Sequence, residues 1–488
     1  MYSNITKSVL AVVISAWFST PAWAISDEQL TQLNQAVAKV NQSPEDKKKA
    51  FHAYVNHYLD EYEAWRDQYT KTLDQRRADL ITKWGEGAVS TATKDVRYSN
   101  NDSTRMSIDY EANVATVSVL VDLDASAKTS QELLSVLPED IVSEGVQIDA
   151  GQWQDHAITY SLEKEQAEKQ FVIAQTQRQM NELDVQAERL INAKTGAPDA
   201  FIYQRAHTKK MALLEQAQAR IKAQSELYAK MRAQYGIVVA HAETPELSES
   251  EPEFVARDQV VHGEPKKASS KSEASEKELK RPTSPNVRVA SAPTAPQKVV
   301  SYKVTLPENS LKTRASQYAP LAQNESKNWQ VDAALIMAIM HSESAFRPDA
   351  KSHIPAYGLM QVVPTSAGHD VNKQVRNIDA PMTPSELYKP TINVETGVAY
   401  LDILNRRYLR KIENDESRLY CMIAAYNTGA GNVARAFNAD RSTNINKAAT
   451  VINAMSPDQV YHQLMEELPY DETKGYLKKV TSRIALYQ

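Results

Sequence analysis

The first apolar positions form one run, Val9 to Phe18, placed after Lys7 and before Pro21-Ala22-Trp23-Ala24. A basic start, a short apolar stretch and an Ala-x-Ala boundary predict an export signal cut after Ala24. The run falls short of the roughly 20 apolar residues a membrane span requires. Residues 27–84 are then polar and helical in pattern, with Phe51, Tyr54, Tyr58, Tyr62 and Trp65 on one face as an expected core stripe. From Val96 to Asp122 the period changes to two, as in Ser107-Ile108-Asp109-Tyr110 and Val114-Ala115-Thr116-Val117. Turn residues at Asn100-Asn101-Asp102 and Glu111-Ala112-Asn113 make this a small antiparallel meander.

Two long helices follow at 160–194 and 199–235, parted by Thr195-Gly196-Ala197-Pro198. Their seams run through Ile173, Thr176, Met180, Leu183, Ala187 and Leu190, and through Leu214, Ala217, Ile221, Gln224, Tyr228, Met231 and Tyr235. Such seams suit an antiparallel hairpin within the chain, or a coiled coil if a second chain supplies the partner. Residues 241–298 lose nearly every large apolar side chain and hold seven of the 21 prolines, so they read as a disordered tether. Val299 to Leu306 is β-prone, and residues 310–488 are densely helical and numerous enough for an independent core.

Composition adds exclusions. The 488 residues imply several domains, and a net charge of -5 argues against an obligate nucleic-acid binder. The single cysteine excludes an intramolecular disulfide and a four-cysteine zinc site. It lies in the apolar segment Leu419 to Ala425, where Cys421 reads as a small buried hydrophobe. His341, His353 and His369 lack metal-ligand spacing, and no phosphate loop or nucleotide fingerprint is present, so neither metal nor cofactor is expected.

The candidate chemistry begins at Asp332, a good N-cap for the apolar helix that carries Glu343. Ile336 and Ile339 lie seven and four residues earlier, which puts Glu343 on the apolar face. Desolvation there raises a carboxyl pKa towards neutrality, as a general acid needs. After it come Glu343-Ser344, Gly358-Leu359-Met360-Gln361, Ala425-Tyr426-Asn427-Thr428-Gly429 and Glu472-Thr473-Lys474-Gly475-Tyr476. Four such motifs in this order over the C-terminal region resemble the catalytic domain of soluble lytic transglycosylases. The Pro355-Ala356-Tyr357-Gly358-Leu359-Met360-Gln361 variant most resembles the membrane-bound lytic murein transglycosylase C group.

The resemblance implies a mainly α (α+β) chain. It has a lysozyme-like helical catalytic domain over 299–488 and an N-terminal α/β accessory domain over 25–240 that contains the hairpin. It also implies cleavage of the MurNAc-GlcNAc β-1,4 bond of peptidoglycan strands to give 1,6-anhydroMurNAc ends. In that scheme Glu343 is the acid and then the base, and Ser352, Gly358, Met360, Gln361, Tyr426, Asn427, Glu472 and Tyr476 bind substrate. Gly358 would allow close approach of sugar, and Met360 would line the groove, although Met360 serves equally as core filler. Asn427 suits a helix end as well as a sugar contact, Tyr476 suits core as well as groove, and Ser344 suits a local bond.

No obvious second acid accompanies Glu343, since Asp349 reads as a turn residue; this favours attack by the sugar's own hydroxyl over hydrolysis. A muramidase and a non-catalytic wall-binding adaptor are the alternatives. Val299 to Val304 could join the 96–122 meander as a further strand and dock the catalytic region on the accessory one. The family's lipid-anchoring cysteine has no counterpart at Trp23-Ala24-Ile25-Ser26, so the expected location is the periplasm without stable membrane insertion. Cell-wall partners are not specified.

Overall fold

The structure, a computed structural model, describes residues 44–123, 153–192, 198–235, 297–306, 310–354 and 356–488. The export signal 1–24 and all but the last two residues of the 241–298 tether lie outside the described residues. The chain divides into two compact units, Met1–Thr70 and Lys71–Gln488. In the first, the described part is the opening of helix α1 (Pro44–Trp84). Trp65 there is 44% exposed and stacks on Tyr69 one turn along, so the last member of the expected core stripe lies on the helix surface.

The second unit contains the expected meander, β1 (Lys94–Ser99), β2 (Thr104–Asp109) and β3 (Val114–Asp122). Asn100, Asn101, Asp102 and Asn113 adopt positive φ at its turns, a conformation Asn and Asp tolerate better than other side chains. Two more strands, β4 (Trp153–Ala157) and β5 (Gln297–Thr305), complete a sheet of order β1-β2-β3-β5-β4. β5 runs antiparallel to β3 from Val114 opposite Thr305 to Asp122 opposite Gln297. The Val299 to Val304 segment is thus a strand of the accessory sheet. Its Val299 packs with Trp84, Tyr160 and Tyr228, while Tyr302 packs with Met106, Ile108 and Val117.

Helices α2 (Leu162–Asn192) and α3 (Asp199–Gln234) pack against each other as the hairpin. On α3 the buried positions are Ile202, Ala206, Leu213, Ala217, Gln224, Tyr228 and Met231. Leu214, expected on that seam, is 36% exposed, and Leu213 takes the buried position. The buried face of α2 is unusually polar, with Gln175, Thr176, Gln179, Glu182 and Gln186. It turns towards the C-terminal helices, where polar partners await it.

Those helices are α4 (Ser310–Trp329), α5 (Ala333–Ser344), α6 (Ala367–Gln374), α7 (Pro384–Leu387) and α8 (Pro390–Ile403), followed by a π turn at Leu404–Tyr408. Then come α9 (Asp415–Thr428), α10 (Ala430–Phe437), α11 (Ile445–Ile452), α12 (Pro457–Glu467) and α13 (Asp471–Ile484). α5 is buried on all sides from Ala334 to Ser342, because it is apolar around its circumference and sits between α4 and α13. Cys421 is likewise fully buried, and burial pushes its thiol up. The fold is mainly α with one antiparallel sheet.

Candidate active site

Glu343 occupies the last turn of the central helix α5. Asp332 starts that helix by accepting from the Ala334 N–H at 2.9 Å. Ala345 and Phe346 stop it with φ of 50° and 64°. Their N–H groups donate back to His341 O at 3.1 Å and Met340 O at 3.5 Å, closing the end without a glycine. Ser344 bonds locally, as expected, and donates to Met340 O at 3.1 Å and to Leu359 O at 2.8 Å. The Leu359 bond fastens the helix end to the Gly358–Gln361 turn.

Glu343 opens into a cavity of about 400 Å³. Ser352, Gln361, Tyr426, Asn427, Glu472 and Tyr476 line the same cavity, drawn from a loop, the turn, the end of α9 and the start of α13. Burial raises the Glu343 carboxyl to about 7; the Tyr476 phenol and the Arg178 guanidinium pull it back and the Glu472 carboxylate pushes it further up. The group is therefore partly protonated near neutral pH. Tyr426 and Tyr476 are held well above the ordinary phenol range, chiefly by burial and then by Glu343.

One buried polar atom on the cavity, Gln361 Oε1, has no hydrogen-bond partner among the described residues, while the buried Tyr476 phenol faces the Glu343 carboxyl. Such an orphan is costly and suits a site that receives a polar ligand. Tyr426 is committed, donating to Met360 O at 2.9 Å. Asn427 accepts from Thr473 Oγ1 at 2.7 Å through its side chain and sits at the end of α9, one of the two roles open for it. The Ser352 hydroxyl donates to Ile354 O and accepts from the Ala356 N–H at 3.3 Å, shaping the loop it lies on.

Gly358 and Met360 do not line the cavity. Gly358 has φ 75°, and a Cβ there would lie 2.4 Å from Leu387 O and 2.5 Å from Asn393 Nδ2. Its bare backbone is demanded by protein packing, not by sugar. Met360 is fully buried, and a Cβ on Gly397 would lie 2.5 Å from its Sδ, so it fills the core against α8. Of the two roles open to Met360 this is the core-filling one, and Gly358 serves the packing of the turn rather than the groove. Asp349, exposed and paired with Arg347 at 3.1 Å, occupies a turn as expected.

Several lining residues escaped the sequence reading: Arg178, Asn181 and Glu182 on α2, the loop Thr91 to Thr93, His353 and Lys479. Arg178 joins Glu472 through Nε at 2.6 Å and Nη2 at 2.5 Å. Asn181 donates to Asn427 O at 3.0 Å and accepts from Thr428 Oγ1 at 2.7 Å. Glu182, raised to about 7 by burial, accepts from Gln186 at 3.3 Å and Thr365 at 3.4 Å. The cavity thus contains two carboxyls beyond Glu343: Glu472, expected there, and Glu182, which was not. Both oxygens of Glu472 are engaged by Arg178, and Glu182 is held in the wall.

Residues 320–449 match the family described as Transglycosylase SLT domain. Curated relatives named membrane-bound lytic murein transglycosylase C include one from Klebsiella pneumoniae, 43% identical over 190 residues, or 39% of this chain and 51% of that protein. Another from Salmonella paratyphi B is 44% identical over 192 residues, again 39% of this chain and 51% of that protein. The chain spans about half the length of the relatives it matches. The 70 kDa soluble lytic transglycosylase of Escherichia coli aligns at 27% identity and a TM-score of 0.27, covering 35% of this chain and 24% of that one. The SLT match includes Glu343, Ser352 and the turn, but not α2 or α13, which also contribute to the cavity wall.

Proposed function

We propose that this protein is a peptidoglycan lytic transglycosylase cleaving the MurNAc-GlcNAc β-1,4 bond, with Glu343 as acid and then base. The supporting observation is a carboxyl raised to about 7 at the edge of a polar cavity, within an SLT domain. Protonated Glu343 gives its proton to the glycosidic oxygen as the C1–O bond breaks. The substrate's 2-acetamido carbonyl stabilises the positive C1 that results. The Glu343 carboxylate then takes the proton of the C6 hydroxyl while O6 bonds to C1, which regenerates the acid and leaves a 1,6-anhydro ring. Gln361 supplies an unpaired polar atom for the sugar, with Ser352, Tyr426, Asn427, Glu472 and Tyr476 around it.

The substrate places this activity in the cell envelope, and the export pattern of residues 1–24 makes the periplasm the finer reading. Among the described residues no helix is long and apolar enough to cross a membrane. Mass spectrometry of sacculi digested with the protein and with Glu343→Gln tests the proposal. Anhydro ends that depend on Glu343 are expected. Reducing ends one water heavier would mean a muramidase, and no Glu343-dependent product would mean a wall-binding adaptor.

A further inference from the structure

The SLT domain does not enclose its own cavity. Part of the wall is α2, a helix that ends more than 120 residues before the start of the match. Its Arg178 makes a two-point ion pair with Glu472, from Nε at 2.6 Å and from Nη2 at 2.5 Å, and both residues line the cavity. Asn181, one turn on, bonds Asn427 O at 3.0 Å. The contact therefore reaches α13 and the end of α9 from one helix face.

We propose that Arg178 is a positioning residue of this active site: it balances the charge of Glu472 beside Glu343 and ties the accessory hairpin across the groove. The role rests on Glu343 being the acid of the proposed reaction. A group that must give a proton and then take one works best when neither of its forms is strongly disfavoured. Burial already disfavours the Glu343 anion, and an unbalanced Glu472 carboxylate would disfavour it further.

The other groups around the acid duplicate little of this balance. Lys479 on α13 also favours the Glu343 anion, less than Arg178 does, and is paired with Glu111 at 2.9 Å. His353 is pushed down to about 3, chiefly by burial, and is neutral at working pH. Glu182 on α2 is a further acid, and Tyr426 and Tyr476 are phenols held in their neutral form. Arg178 is the cation joined directly to the Glu472 carboxylate.

The test is a carboxyl-carbon NMR titration of Glu343 without substrate, assigned by the signal missing from Glu343→Gln, alongside the pH profile of anhydro-product release. Arg178→Gln should move the Glu343 titration and the alkaline limb upward by about half a pH unit, and Glu472→Gln should move both downward. Arg178→Lys should restore most of the wild-type midpoint, and the Arg178→Gln/Glu472→Gln pair should return close to it. Titrations unmoved by either single change, or moved in the same direction by both, would overturn the proposal. Shifts in the expected directions with no anhydro product from the wild-type protein would uphold the pairing and reject the proposed reaction instead. Glu472→Gln, a near-isosteric change at a part-exposed residue, keeps the test open should the Arg178 variants fold poorly.

Discussion

Asn393 holds Met360 by accepting from its backbone N–H at 2.8 Å, and the same amide donates to Tyr357 O at 2.7 Å and Leu387 O at 2.8 Å. One fully buried side chain on α8 thus fixes both ends of the turn that carries Gln361. Asn393→Ala would leave the Met360 N–H and Leu387 O without this partner and take one of two bonds from Tyr357 O, which keeps the Val362 N–H; it should cost about 3 kcal/mol, read by urea denaturation. Asn393→Asp, which keeps the acceptor and loses both donors, should rescue little.

Gly358 allows a second prediction from the same turn. Gly358→Ala combines a φ of 75° with a methyl 2.4 Å from a carbonyl oxygen, and the neighbour is backbone that cannot rotate away. The expected loss is about 2 to 4 kcal/mol, together with most of the activity. A variant of wild-type stability by calorimetry would count against this account of the turn.

Glu343 should give the proposed reaction an alkaline limit. The first step uses the protonated acid, so the rate should fall above about pH 7, approaching tenfold per unit. Tyr476→Phe removes a group that favours the anion and should carry that limit to higher pH while lowering the maximum rate. Rates of anhydro-product release between pH 5 and 9 check both statements.

The same carboxyl links stability to pH. Its folded value, about 7, exceeds the ordinary 4.5, so the folded state binds the proton more tightly than the unfolded chain. Stability is fully present below about pH 4.5 and declines as pH rises through 7. Glu343→Gln should accordingly be more stable than the wild type by about 3 kcal/mol at pH 8 and equal to it near pH 4. Paired denaturation curves at the two pH values provide the check.

The β3–β5 ladder predicts how the chain behaves when cut. With a specific protease site placed within 241–298, cleavage should leave the fragments together on a sizing column, since β5 pairs with both β3 and β4. Immediate separation would contradict the ladder.

Much of the architecture was legible because period and punctuation agree with it. The alternation at 107–119 became β2 and β3, and the Gly196-Ala197-Pro198 break parts α2 from α3. Asp332 caps α5 and places Glu343 on the last turn. What could not be read was the partnership between distant segments. Arg178 and Glu472 are almost 300 residues apart, and neither carries a local mark of the other. The available signal was the run of Thr, Gln and Glu on the α2 seam, which reads as a weak hydrophobic face and is in fact a face built for polar neighbours. Gly358, and Met360 in one of its two readings, were put at the groove because a motif states which residues recur together but not which way each one points.

The strand order has a consequence for synthesis. β4 has β5 as its ladder neighbour, and β5 lies some 140 residues further along the chain. During synthesis the meander can close on itself, while β4 has no ladder to join until the chain has emerged past residue 305. The accessory sheet is finished by the stretch that precedes the SLT-matching segment, so its completion and the arrival of Glu343 fall close together in time.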